Sequence, residues 1–180
     1  MRGFVLLIAL ALIVSTVGAK TLQSAYDEAA AGEGYDKLVI LDPDVTYTGG
    51  CAVLQGKKSF IRGNGAICDL ESGQIFASQP GTQLDITGCC LINGGGIGAI
   101  YVADSASANI DGNTICKNGV GLYIWAYSSA TVKNNIIFKN NNSAGPMYGV
   151  AKHQITGALN ILYNDVESNF GGNYMYFCPG

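Results

Sequence analysis

The residues of this 180-residue chain that could do chemistry are few and scattered. Its one histidine, His153, has no second histidine to act with. The six cysteines, Cys51, Cys68, Cys89, Cys90, Cys116 and Cys178, form no C-x-x-C pair and no Cys/His cluster, so no zinc site is expected. Asp42-Pro43-Asp44 offers two carboxylates to a cation, but Asp-Pro beside a strand is ordinarily a turn. The glycines of "NGGGIGAIYVAD", from Asn93, fail the G-x-G-x-x-G order of a phosphate loop, and no helical pattern follows them. Asn141-Asn142-Ser143 is a glycosylation sequon wherever that machinery acts.

What recurs instead is asparagine. "NIDGNTICKN" from Asn109 is followed by "TVKNNIIFKN" from Thr131, with the same residue types on the same beats 22 residues apart. From Ile110, asparagine falls at Asn113, isoleucine at Ile115 and asparagine again at Asn118; Val132 gives Asn135, Ile137 and Asn140. Ile161 gives Asn164, Val166 and Asn169, Ile61 gives Asn64, and Ile86 gives Cys89 and Leu91. Five units therefore begin near Ile61, Ile86, Ile110, Val132 and Ile161, separated by 25, 24, 22 and 29 residues. Each unit reads as short β pieces with no sustained 3.6-residue period, which predicts an all-β solenoid, a parallel β-helix of about five to six coils. Asn64, Asn113, Asn135 and Asn164 are expected at one internal bend, because asparagine tolerates the left-handed conformation. Amides stacked about 4.8 Å apart can also bond to one another.

The other elements follow from the same frame. Leu22, Ala25, Tyr26, Ala29 and Ala30 make an apolar stripe that predicts a helix over the end of the stack, within a cap at about 20–34 and stopped by Gly32 and Gly34. On the third strand of each unit, Ile100 and Val102 alternate with Tyr101, and Leu122 and Ile124 with Tyr123 and Trp125, so the rings should face outward, with Tyr101 stacked on Tyr123. The long interval before Ile161 should leave the coil as loops, "NNSAGPMYG" and "AKHQITG", on either side of a strand near Tyr148 to Val150. Cys68 and Cys116 are expected two rungs apart, too far to bond, with Cys90 between them and close enough to one for a disulfide. The alternative is that these are free thiols packed as small apolar residues.

Composition bounds the partners. Met1 to Ala19 reads as a signal peptide, with a basic residue at Arg2, an apolar run from Phe4 to Val14 and small residues before the cut. That leaves 20–180 as one β-helix domain and predicts a chain that is secreted, periplasmic or at a cell surface. No segment reaches the roughly 20 apolar residues needed to span a bilayer. A net charge of −3, with a single arginine after the leader, leaves no basic footprint for nucleic acid.

The N-x-I-x-x-N beats, the "GVGLYI" strand and the ending "YNDVESNFGGNYMYFCPG" resemble right-handed parallel β-helix repeat proteins of the pectate-lyase-like superfamily, as a short or truncated member. "LQSAYDEAAAGEGYDKLVILDPDVTYTG" is similar to that family's opening helix and first strand. The resemblance implies a carbohydrate-active or surface protein, with sugar chains lying along the third strand's face, and this makes Tyr101, Tyr123 and Trp125 candidate carbohydrate-binding residues. Its polysaccharide lyases use Ca2+ held by carboxylates and a basic residue, for which Arg62, Asp85, Asp111 and Lys133 are a poor set. Asp85, Asp111 and Lys133 read better as a solvated strip. No cofactor is expected otherwise. A non-catalytic surface or carbohydrate-binding module is the leading expectation. A polysaccharide lyase or related carbohydrate-active enzyme, alone or as part of an assembly, and an adhesion or scaffold segment associating end to end or completed by further C-terminal coils, are the alternatives.

Overall fold

The computed structural model describes residues 20–141, 147–153, 157–176 and 178. Strands of two to five residues wind the chain into a parallel β-helix of about six turns, with three parallel sheets and one short helix. The first sheet contains Lys37–Ile40, Lys58–Arg62, Gln83–Thr87, Ser107–Asp111, Ser129–Lys133 and Leu159–Leu162. The second runs from Lys20–Thr21 through Thr46–Thr48, Ile67–Asp69, Cys90–Ile92, Thr114–Cys116 and Ile136–Phe138 to Asp165–Glu167. The third stacks Cys51–Ala52, Ile75–Ala77, Ile100–Val102, Leu122–Ile124, Tyr148–Lys152 and Gly172–Tyr176.

The repeat frame is the register of the first sheet. Ile61 pairs with Ile86, Ile86 with Ile110, Ile110 with Val132 and Val132 with Ile161, and Val39 pairs with Ile61 to add a sixth unit. Because side chains alternate along a strand, each of these residues points inward and its neighbours point out. Ile61, Ile86, Ile110 and Val132 are buried with Leu91, Ile100, Ile115 and Leu122 in one continuous core. Each such side chain is worth about 1.5–3 kcal/mol of burial, so the aliphatic columns rather than the turns carry the coil.

The helix spans Leu22–Glu28, capped by Thr21, whose hydroxyl accepts from the Ser24 N–H at 3.0 Å. Leu22, Ala25 and Tyr26 are buried on the end of the stack, whereas Ala30 is exposed. The helix stops before Gly32 because Ala29 is already extended and Gly32 makes an antiparallel bridge with Tyr35. The Tyr26 hydroxyl accepts from the Leu54 N–H at 2.9 Å and shares a hydrogen bond of 2.6 Å with buried Ser59.

Among the described residues no helix is long and apolar enough to cross a membrane. Residues 1–19, 142–146 and 154–156, on which the expected leader and much of the expected loops fall, lie outside the described residues; Tyr148–Lys152 is a strand paired with Leu122–Ile124 and Gly172–Tyr176, so Ala151 and Lys152, expected in the second loop, belong to it.

Candidate functional site

The asparagines form two internal ladders. At the bend between the first and second sheets, the Asn135 Oδ1 accepts from the backbone N–H of Asn113 at 2.9 Å and from its Nδ2 at 3.1 Å. Asn164 Oδ1 does the same for Asn135, at 2.9 and 2.8 Å. Asn135 Nδ2 also reaches the carbonyls of Ile110 and Lys133. At the next bend Asn118, Asn140 and Asn169 repeat the pattern, with Asn118 Nδ2 to Asn140 Oδ1 at 3.0 Å and Asn140 Nδ2 to Asn169 Oδ1 at 2.8 Å. A buried amide is tolerated only when its donors and acceptors are paired, and stacking pairs them between coils. The left-handed residues are not these asparagines but the ones before them: Gly112, Asn134 and Tyr163 in one ladder, Lys117, Lys139 and Ser168 in the other. The bend is made one residue earlier, and it turns the following side chain inward.

Asn64 is not a rung. The first coil has two more residues in its bend, since Arg62 pairs with Thr87 while Ile67 pairs with Cys90. Asn64 is thereby pushed to the surface at φ 53°, with its Nδ2 on the Leu41 carbonyl at 3.0 Å. The ladder position of the first coil falls to buried Ala66, and that of the second to Cys89, whose N–H donates to Asn113 Oδ1 at 3.0 Å.

The Cys68, Cys90 and Cys116 expectation is corrected for a similar reason. Cys68 is the middle residue of its strand and faces the core opposite Leu91. Cys90 opens its strand and pairs with Ile67 and Thr114, and Cys116 closes its strand opposite Phe138, so both belong to the outward positions. One residue of slip puts Cys90 on the face opposite Cys68, and Cys116, on the same side as Cys90, stands two residues beyond Thr114, the strand partner of Cys90, so Cys90 bonds to neither. All six cysteines are free. It is Cys89 that approaches Cys68: contact with that thiol, and then burial, holds the Cys89 thiol well above its usual range. Burial pushes the Cys51 thiol up to about 12.

Tyr101 and Tyr123 occupy matching positions of the third sheet and stack at 5.7 Å between centroids, and Phe76 extends the column beneath Tyr101 at 5.2 Å. Trp125 stands edge-on to Tyr123 and lies 3.9 Å from the His153 ring. All of these rings are half-buried. Rings stacked at the rung spacing spend their faces on one another, and a sugar needs a free face. Phe76, Tyr101 and Tyr123 are stacked as in an aromatic ladder along the sheet.

The outer face of the first sheet is different. The residue before each repeat-defining aliphatic forms a column, Phe60, Asp85, Asn109, Thr131 and Asn160, paired from coil to coil. Gln83, Ser107 and Ser129 form a second column beside it. Together, from Asp85 onward, they floor a trough of about 380 Å³. A neighbouring hollow of about 230 Å³ is lined by Tyr35, Phe60, Asp85, Thr87, Asn109 and Asp111, so the two depressions share Asp85 and Asn109. Tyr35 arrives from the cap bridge, packs on Phe60 at 5.2 Å and donates its hydroxyl to Asp85 Oδ2. That hydrogen bond, followed by burial, pushes the Tyr35 phenol up to about 12.

The strip of charges beside the trough is neutralised. Lys133 pairs with Asp111 at 3.2 Å, and Asp111 also accepts from Asn134 Nδ2 at 2.8 Å. Asp85 is two residues off that column, so it does not face Asp111 rung to rung. Arg62 pairs with Glu33 at 2.7 Å and lies 5.0 Å above the Phe60 ring. Among the described residues there is no group of three or more His, Cys, Asp or Glu that could hold a metal ion.

The model of the right-handed β-helix region matches residues 33–137, and the chain belongs to that family. The pectate-lyase-like superfamily is consistent with this match. Searches of curated proteins and of solved structures each returned no match.

Proposed function

We propose that the chain is a non-catalytic β-helix module, exported by its leader, that binds an extended glycan along the outer face of the first sheet. The observation that carries this reading is the continuity of trough and hollow through Asp85 and Asn109. The floor is mostly hydroxyls and amides, which donate and accept as sugar hydroxyls do. Tyr35 and Phe60 give one end an apolar wall. From Asp85 to Asn160 a polar side chain recurs at every rung, about 4.8 Å apart, a spacing close to one sugar of an extended chain.

Affinity electrophoresis against immobilised plant and microbial glycans tests it. Asn109→Ala with Thr131→Ala should weaken retention about tenfold, as expected for two lost hydrogen bonds. Trp125→Ala should leave retention unchanged once its thermal stability has been checked. Loss of retention on Trp125→Ala alone would move the site to the third sheet.

A second reading, end-on association, is favoured by exposed Leu162, Tyr163 and Phe170 on the last described coil. Strands Leu159–Leu162 and Asp165–Glu167 each have one sheet neighbour among the described residues, and such edges pair readily. Sedimentation velocity over a wide concentration range should then show oligomers that Leu162→Lys removes; a single monomeric species at all concentrations would end this reading.

A further inference from the structure

We infer that Asp85, held by Tyr35, makes the first-sheet site select uncharged glycans and reject uronate-bearing ones. This rests on the glycan-binding reading and adds to it the class of sugar. Asp85 lies where the two depressions meet. Its Oδ2 takes the Tyr35 hydroxyl, and the Gln83 amide lies at 3.3 and 3.4 Å from its two oxygens. A carboxylate has about four lone-pair sites, so acceptor capacity remains for ligand hydroxyls. An ionised carboxylate only accepts, so whatever sits against it must donate. Sugar hydroxyls donate. A uronate carboxylate at neutral pH does not, and it brings a like charge to the same place.

The surrounding charges do not offset that repulsion. Among the described residues, the linings of the trough and the hollow contain Asp85 and Asp111 and no lysine or arginine. Of the cations on this face, Arg62 is committed to Glu33 and Lys133 to Asp111. Lys58 is opposite Gln83 in the preceding coil, exposed and outside both linings. The chain as a whole carries −3, which adds to the repulsion of a polyanion. Tyr35 fixes the Asp85 carboxylate, so the acceptor is pre-positioned beside the Tyr35 and Phe60 side chains that wall this end of the hollow.

The test compares full-length wild type with Asp85→Asn, which keeps the shape and still accepts the Tyr35 hydroxyl. The probes are cellohexaose and xylohexaose as neutral chains and hexagalacturonate as the anionic one, with circular dichroism to check folding. Wild type should bind a neutral hexamer and discriminate against hexagalacturonate, and Asp85→Asn should narrow the gap by at least about tenfold through better uronate binding. Raising the salt should narrow it in wild type as well, because screening weakens the repulsion. Wild-type preference for hexagalacturonate, or equal affinity for both classes unchanged by Asp85→Asn, would overturn the selectivity while leaving glycan binding intact. Binding of neither class would overturn glycan binding and the selectivity together.

Discussion

Asn135 is satisfied on every side: it accepts from Asn113, donates to Asn164 and ties down the carbonyls of Ile110 and Lys133. Asn135→Ala should cost about 3 kcal/mol in urea unfolding, since it orphans several buried groups at once. Asn64→Gly should be near neutral in the same experiment, because Asn64 is an exposed left-handed residue outside the ladder. Equal losses at the two positions would contradict the assignment. Tyr35 makes a separate prediction in alkali. Its phenol keeps its proton in the folded state up to about 12, against 10.0 as the ordinary value, so the stability it adds is present below pH 10 and lost as pH rises through about 12. Unfolding curves should weaken across that window in wild type, and less so in Tyr35→Phe. Asn113, Asn135 and Asn164 were legible in the sequence because one spacing repeats, whereas Asn64 shares the spacing but not the bend, whose two extra residues no count from Ile61 reveals.

Each strand element is short, and its meaning depends on which residue comes first. Outward-facing Tyr101 and Tyr123 were legible from alternation alone. Cys68, Cys90 and Cys116 were not, because in strands of three residues a slip of one position reverses the face. The column Asp85, Asn109, Thr131 and Asn160 was within reach, since it is the position before each repeat-defining aliphatic. Its partner Tyr35 was not, standing 50 residues before Asp85 and brought over it only by the cap bridge. Two substitutions test the elements. Tyr26→Phe should destabilise by about 1–3 kcal/mol, because it leaves the buried Ser59 hydroxyl and the Leu54 N–H without their shared partner. Tyr163 is 87% exposed and left-handed at φ 55°, so Tyr163→Asn should raise stability by up to about 1 kcal/mol by relieving an unfavourable backbone conformation. No gain in thermal unfolding would mean that the bend at Tyr163 is not strained.

The whole molecule is a rod of coils in which each sheet offers one long outer face, and the three faces differ. The second sheet carries exposed Ile67 and Ile136, the third a column of rings that cover one another, and the first a polar trough that continues into an aromatic-walled hollow. The solenoid was legible in the sequence, because an error in one bend does not disturb the register set by Ile61, Ile86, Ile110, Val132 and Ile161. The choice among faces was not, because it depends on whether rings are free or stacked and on which charges are already paired. Backbone amide chemical-shift mapping during titration with cellohexaose or xylohexaose tests that choice most directly. Shifts should cluster on Tyr35, Phe60, Asp85, Asn109, Thr131 and Asn160 along the first sheet. Shifts centred on Tyr101, Tyr123 and Trp125, or no shifts with any glycan, would contradict that placement.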